Sequence, residues 1–161
     1  MITIDQILSR ESSSRRQGSG IRSSDLNGVW LLMQNWTREG ALPPPGTSPL
    51  LRLVGAQLQL QTQDNILKIC NQVCLGSLKL RFEGKAELKG DRPLLLFRFS
   101  TLVLNFGSIT LLRKVLPEPS ANRTPFFALI DLNRQDGSDW LAARGRGGGV
   151  ALWKRLETTE Q

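Results

Sequence analysis

The chain contains no histidine and no tyrosine among its 161 residues, and only two cysteines. Each shortage removes a class of chemistry. Without imidazole there is no serine–histidine or cysteine–histidine nucleophilic pair, and no metal site built on histidine. Cys70 and Cys74 cannot fill a four-cysteine zinc site, so no metal is expected. Their spacing on a strand puts both thiols on one side; they read as free and partly buried, with a redox pair across a bulged turn as the alternative. So few cysteines lean towards a reducing compartment. Long apolar runs are missing too. Leu94-Leu95-Leu96-Phe97 is cut by Arg98, far short of the roughly 20 apolar residues of a spanning helix. Met1 to Gln17 lacks the order of a secretory signal and reads as retained.

What remains is ordinary in bulk and biased in charge. The hydrophobic share is 40% and the length fits one domain. The net charge is +7, carried by 15 arginines and 6 lysines. Such a balance suits an anionic partner (nucleic acid, an acidic lipid face or an acidic protein) as well as plain solubility. The carboxylates Glu83, Glu87, Asp91, Asp131, Asp136 and Asp139 mark out no acid–base pair. Glu83 and Glu87 interleave with Lys79, Arg81 and Lys85 as a solvated face, and the aspartates flank a turn, where they bond local backbone. The chain is expected not to be an enzyme and to carry no cofactor.

Along the chain, Thr3 and Gln6 form a capping box before Ile4, Ile7 and Leu8, which predicts a short helix from about Ile4 to Ser12. Ser12 to Ser24 is rich in serine, arginine and glycine and reads as a flexible linker, so residues 1–24 form an arm. From Asp25 the period is close to two. Strands are predicted at Leu26–Gln34, Leu50–Val54, Gln57–Gln61, Ile66–Val73, Leu78–Leu88 and Leu95–Ser100, then as a further pair at Leu102–Leu104 and Ile109–Leu111 around Gly107, and at Phe126–Leu132, Trp140–Ala143 and Val150–Arg155. Pro43-Pro44-Pro45-Gly46 and the Lys114–Thr124 stretch, with Pro117 and Pro119, are loops. Short strands punctuated by turns every 8 to 12 residues predict a mainly β fold, an antiparallel sandwich or barrel over residues 25–157 with a tail at 158–161.

Gly28-Val29-Trp30 opens the first strand and Arg155 closes the last. This Gly-x-Trp with a late arginine resembles the calycin or lipocalin arrangement, in which the tryptophan closes one end of a barrel and the arginine covers its ring. Asp139-Trp140-Leu141-Ala142-Ala143-Arg144-Gly145-Arg146-Gly147-Gly148-Gly149-Val150 resembles the closing motif of the plastid lipid-associated proteins, or fibrillins. Leu26, Gly28 and Trp30 match that family's opening segment, while Leu141 stands where it usually has a basic residue. The resemblance implies a calycin-like barrel of cyanobacterial type, cytoplasmic and peripherally associated with the thylakoid membrane. It also implies binding of a lipid, carotenoid or quinone, or of a thylakoid lipid surface. The alternative is a structural or assembly factor that docks onto a larger photosynthetic complex through its basic face and N-terminal arm.

Residue by residue, Leu78, Leu80, Phe82, Leu95, Phe97 and Phe99 are the candidates to line an apolar interior. Trp30 and Arg155 are the barrel-closing pair. Ile4, Ile7, Leu8, Arg15, Arg16, Arg22, Arg144 and Arg146 are the candidates to touch an anionic membrane or a protein partner. Arg144 to Gly149 also looks like an Arg-Gly box, but a single one between two apolar strands reads as a hairpin tip, with anion binding by its amides as the alternative. Nucleic acid is not the expected partner.

Overall fold

The computed structural model describes residues 2–42, 56–134 and 138–157. The predicted strand at Leu50–Val54, the Pro43–Gly46 segment, Asp136 and the tail at 158–161 lie outside the described residues. Among the described residues one α-helix, α1 (Ile4–Gln17), precedes nine strands: β1 (Gly28–Trp36), β2 (Gln57–Gln63), β3 (Ile66–Leu75), β4 (Leu78–Lys89), β5 (Leu94–Phe106), β6 (Ile109–Val115), β7 (Phe126–Asn133), β8 (Trp140–Gly145) and β9 (Val150–Arg155).

All nine strands belong to one antiparallel sheet, in the order β4-β3-β2-β1-β9-β8-β7-β5-β6, and β4 pairs in addition with β5. That last ladder makes the pairings return on themselves. Among the described residues each of β1 to β5 bonds to the strand that follows it, β5 also bonds past β6 to β7, β7 bonds to β8 and β8 to β9, and β9 bonds back to β1, while β6 stands outside the ring on the far half of β5. Turn chemistry supports the meander. Asp64 and Asn65 both take positive φ between β2 and β3, as a two-residue hairpin turn requires.

Strand alternation sorts the side chains. In β2, Leu58 and Leu60 are buried while Gln59 and Gln61 face solvent. The inner face gathers Trp30, Leu58, Leu60, Leu67, Ile69, Leu95, Phe97, Leu129, Leu141, Ala143 and Trp153 into one core, with Ile21 and Leu26 from the N-terminal segment. Aromatic rings run through it in contact, from Trp153 to Phe127, Phe97, Phe99 and Phe82, with centroids 5.1–5.6 Å apart. The outer face of β7, β8 and β9 carries Ile130, Ala142, Val150 and Leu152, and there Ile7 of α1 is packed with no exposure.

The N-terminal segment departs from expectation. The helix begins at the predicted capping box, with Thr3 and Gln6 bonding each other's backbone, but it runs past Ser12 to Gln17. Serine is a poor interior helix residue because its hydroxyl competes for backbone. Here the competition stays inside the helix, as Ser12 and Ser14 donate to the carbonyls of Leu8 and Glu11. Gly18, at φ 78°, ends the helix. Residues beyond it are tied down by Ile21 in the core and by a 3-10 turn at Ser23–Leu26. The expected flexible linker is therefore half helix and half anchored turn, because Glu11, Ser14 and Ile21 are buried against the sheet.

Between Glu83 and Gly84 the β4–β5 register shifts, leaving Ser100 as an extra residue. At Gly84 a side chain would meet the Arg98 carbonyl oxygen at 1.9 Å. Gly84→Ala is expected to destabilise the protein by about 2–3 kcal/mol, measured by chemical denaturation. An unchanged midpoint would mean that the backbone at this bulge relaxes freely.

Candidate functional site

The two ends of the ring's strands are brought together at Trp30. The indole is fully buried and its Nε1 donates to the Leu26 carbonyl at 2.8 Å. Trp30 and Arg155 are register partners in the β1–β9 ladder. The Arg155 guanidinium carbon lies 5.4 Å from the indole centroid, within cation–π range. It also donates to the Asn27 carbonyl and, at 3.3 Å, to Asp139 Oδ2. Gly28 makes room: its φ is 140°, and a Cβ there would meet Arg155 Nε at 2.7 Å.

The six interior candidates divide into two groups. Leu95 and Phe97 belong to the buried core and Phe99 packs against it. Leu78, Leu80 and Phe82 are only half-buried. Register explains the split. Leu78, Leu80 and Phe82 oppose Phe106, Leu104 and Leu102, and Leu80 and Leu78 also oppose Val73 and Leu75. The β2–β3 ladder stops at Gln57↔Gln72 and the β5–β7 ladder at Leu96↔Phe126. Beyond those points β3, β4 and β5 continue with β6 as an overhang that carries the inner apolar face out of the ring. Leu75, Phe106, Ile109 and Leu112 are 47–66% exposed there, and every residue of β6 is exposed.

The predicted contact residues of the N-terminal arm are placed differently from expectation. Ile7 is buried against β7–β9, and Ile4 and Leu8, partly exposed, pack around it, so the stripe faces the sheet. The reason is Glu11, one turn further on the same face. It is 3% exposed, yet Arg144 grips both of its oxygens at 2.8 and 2.6 Å. Arg15 and Arg92 add contacts to Oε1 at 3.0 and 3.1 Å. A carboxylate on a buried face is tolerable when paired and fully bonded. The Arg144 hydrogen bonds, with those of Arg15, hold the Glu11 carboxyl below the usual glutamate range despite its burial.

Arg144 further donates to the Gly148 carbonyl, and Arg146 donates to the carbonyls of Thr124 and Asn122, so both arginines of the glycine-rich turn brace the fold. An open cleft of about 600 Å³ lies beside them, lined by Arg15, Arg38, Arg92, Arg144, Arg146 and the apolar Leu94, Phe126 and Ala128. Arg16 and Arg22 line a neighbouring cleft that shares Arg15 and Arg92. Arg38, Arg92 and Glu11 were not singled out from sequence. The one available signal was the Glu11–Arg15 spacing of four on a helix.

Cys70 and Cys74 are free, half-buried and exposed respectively, and oppose Glu83 and Lys79 on the polar side of β3–β4. Among the described residues no group of three or more histidine, cysteine, aspartate or glutamate side chains is placed to hold a metal, and no helix is long and apolar enough to cross a membrane. No protein-family model, curated protein or solved structure matches the chain.

Arg155→Ala is expected to cost about 1–3 kcal/mol in denaturant unfolding, through lost packing on Trp30 and unbonded carbonyl and carboxylate partners. Arg155→Lys should recover little of it, since an ammonium cannot cover the ring and fork to two acceptors.

Glu11 predicts an acid-labile component of stability. Its pKa is lowered on folding, so its contribution is complete above the ordinary glutamate range and is lost as pH falls through the lowered value. Glu11→Gln should cost about 3 kcal/mol at pH 7 and flatten the dependence of stability on pH below about 4.3. An acid limb as steep in the variant as in the wild type would assign the effect to other carboxylates.

Proposed function

We propose that the chain is a non-enzymatic binding protein of fibrillin type, a calycin-like antiparallel barrel whose open apolar end takes the hydrocarbon part of a lipid, carotenoid or quinone. One observation carries this reading. The inner face of β3–β6 stays apolar for several residues after the ring has ended, and leaves Leu75, Phe106, Ile109 and Leu112 in water. Exposed apolar side chains gathered on one continuous face are uncommon in a protein that has nothing to cover them. Leu78, Leu80 and Phe82 sit where this face meets the filled core, so a ligand would lie along them and not deep among Trp30, Leu95 and Phe97. The same face can rest on a thylakoid lipid surface, which keeps the peripheral membrane location as part of the proposal.

A second reading, docking onto a larger photosynthetic complex, draws on β6. Among the described residues this strand bonds to β5 alone and leaves its other edge unpaired, the kind of edge that another chain can extend by strand addition.

Titration with an uncharged fluorescent lipid or quinone analogue separates the two readings. The wild type is expected to bind at about micromolar strength. Phe82→Asp should weaken binding at least about tenfold with an unchanged circular dichroism spectrum, since Phe82 is half-buried at the end of the aromatic row. Absence of binding by the wild type would sink the ligand reading and leave docking.

A further inference from the structure

We propose that the cleft lined by Arg15, Arg38, Arg92, Arg144 and Arg146 is a binding site for an oxyanion of the phosphate class, separate from the apolar face. The arginines that meet there are poorly neutralised. Arg15, Arg92 and Arg144 share the single carboxylate of Glu11, and Arg38 and Arg146 make no ion pair among the described residues. Five guanidinium groups against one carboxylate leave four positive charges around one open volume.

Donor accounting separates the scaffold of this site from its free donors. Arg144 spends Nε, Nη1 and Nη2 on Glu11 and Gly148, and Arg146 spends both Nη atoms on Asn122 and Thr124. These two form a fixed floor. Arg15 and Arg92 each commit one Nη to Glu11, and Arg92 Nε is buried with no hydrogen-bond partner. Arg38 makes no hydrogen bond among the described residues. Its stem nonetheless has a defined seat, because a Cβ on Gly148 would come within 3.0 Å of Arg38 Cγ and Cδ. Gly148, already required by its φ of 91°, thus also lets Arg38 lie across the turn.

A tetrahedral dianion suits this set. Its three or more acceptor oxygens match the forked donors of several guanidinium groups, and two negative charges offset the excess better than one. Leu94, Phe126 and Ala128 form an apolar wall beside the arginines. The phosphate can belong to a soluble ester or to a lipid headgroup whose chains follow that wall.

Calorimetric titration of the full chain with inorganic phosphate and pyrophosphate, at constant ionic strength in chloride, tests the site. One-site binding is expected, about tenfold or more weaker in Arg38→Ala and in Arg92→Lys. It should be unchanged in Arg98→Ala, an exposed arginine of β5 that does not line the cleft. Arg38 is exposed, so its variant should fold; Arg92→Lys keeps a cation beside Glu11. Sedimentation with phosphatidylcholine vesicles, with and without phosphatidic acid, distinguishes the sources. Phosphatidate-dependent binding that Arg38→Ala weakens, with or without measurable binding of free phosphate, assigns a headgroup. Phosphate binding without vesicle binding assigns a soluble ester. Heats equal to those of chloride together with vesicle binding absent or indifferent to Arg38, or phosphate binding indifferent to both variants, would overturn the proposal.

Discussion

The pairing of Trp30 with Arg155 is the constraint on which the rest of the fold depends. It joins the first strand to the last, and so turns a meander with two open ends into a ring of pairings. The contact asks for several features at once. Gly28 must lack a side chain, Leu26 must present its carbonyl to the indole, and Asp139 must reach the guanidinium from the start of β8. Residues far apart in the chain therefore meet around one buried indole. A ring has no edges except where a strand outruns its neighbours, and that is where β6 attaches.

The Glu11 cluster does for the outer face what Arg155 does for the inner one. Alternation along β8 turns Leu141 and Ala143 into the core, and Trp140, Ala142 and Arg144 towards the helix. Along α1, Ile7, Glu11 and Ser14 recur every three or four residues on the buried face. Apolar packing at Ile7 supplies adhesion without direction. The forked Arg144–Glu11 bond supplies the register of the helix on the sheet, because it works in one relative position only.

This division explains what could be read from the residues alone. The strands were legible wherever one face is dry and one wet, as in the Gln-Leu-Gln-Leu-Gln of β2 and the Leu-Lys-Leu-Arg-Phe of β4. Gly28, Trp30 and Arg155 were legible as a set because each is an unusual requirement. The length of α1 was not. The serine-rich stretch from Ser12 reads as linker, and nothing local marks Glu11 as buried, because its partner Arg144 stands 133 residues away. Nor was the convergence of Arg38, Arg92 and Arg144. They come from separate parts of the chain, and no local period relates them. For the same reason the six residues read from Leu78 to Phe99 share one face and yet differ in how far they are covered. Alternation tells which face a residue occupies; where neighbouring strands stop decides whether that face is covered.

The same geometry keeps two chemistries apart. The exposed apolar face continues the inside of the ring along β3–β6, whereas the arginine cleft sits beside the outward-facing Arg144 and the turn after β8. The apolar wall of the cleft, formed by Leu94, Phe126 and Ala128, is a separate patch from the exposed leucine and phenylalanine side chains of the overhang. Of the cleft's arginines only Arg144 is placed by strand alternation, while Arg15 comes from α1 and Arg38, Arg92 and Arg146 from turns. Four of the seven excess positive charges lie around that one outer cleft. The basic character of the chain is thus in large part a local property, held in place by Glu11 at Arg15, Arg92 and Arg144 and by the glycine-rich turn and its neighbours at Arg38 and Arg146.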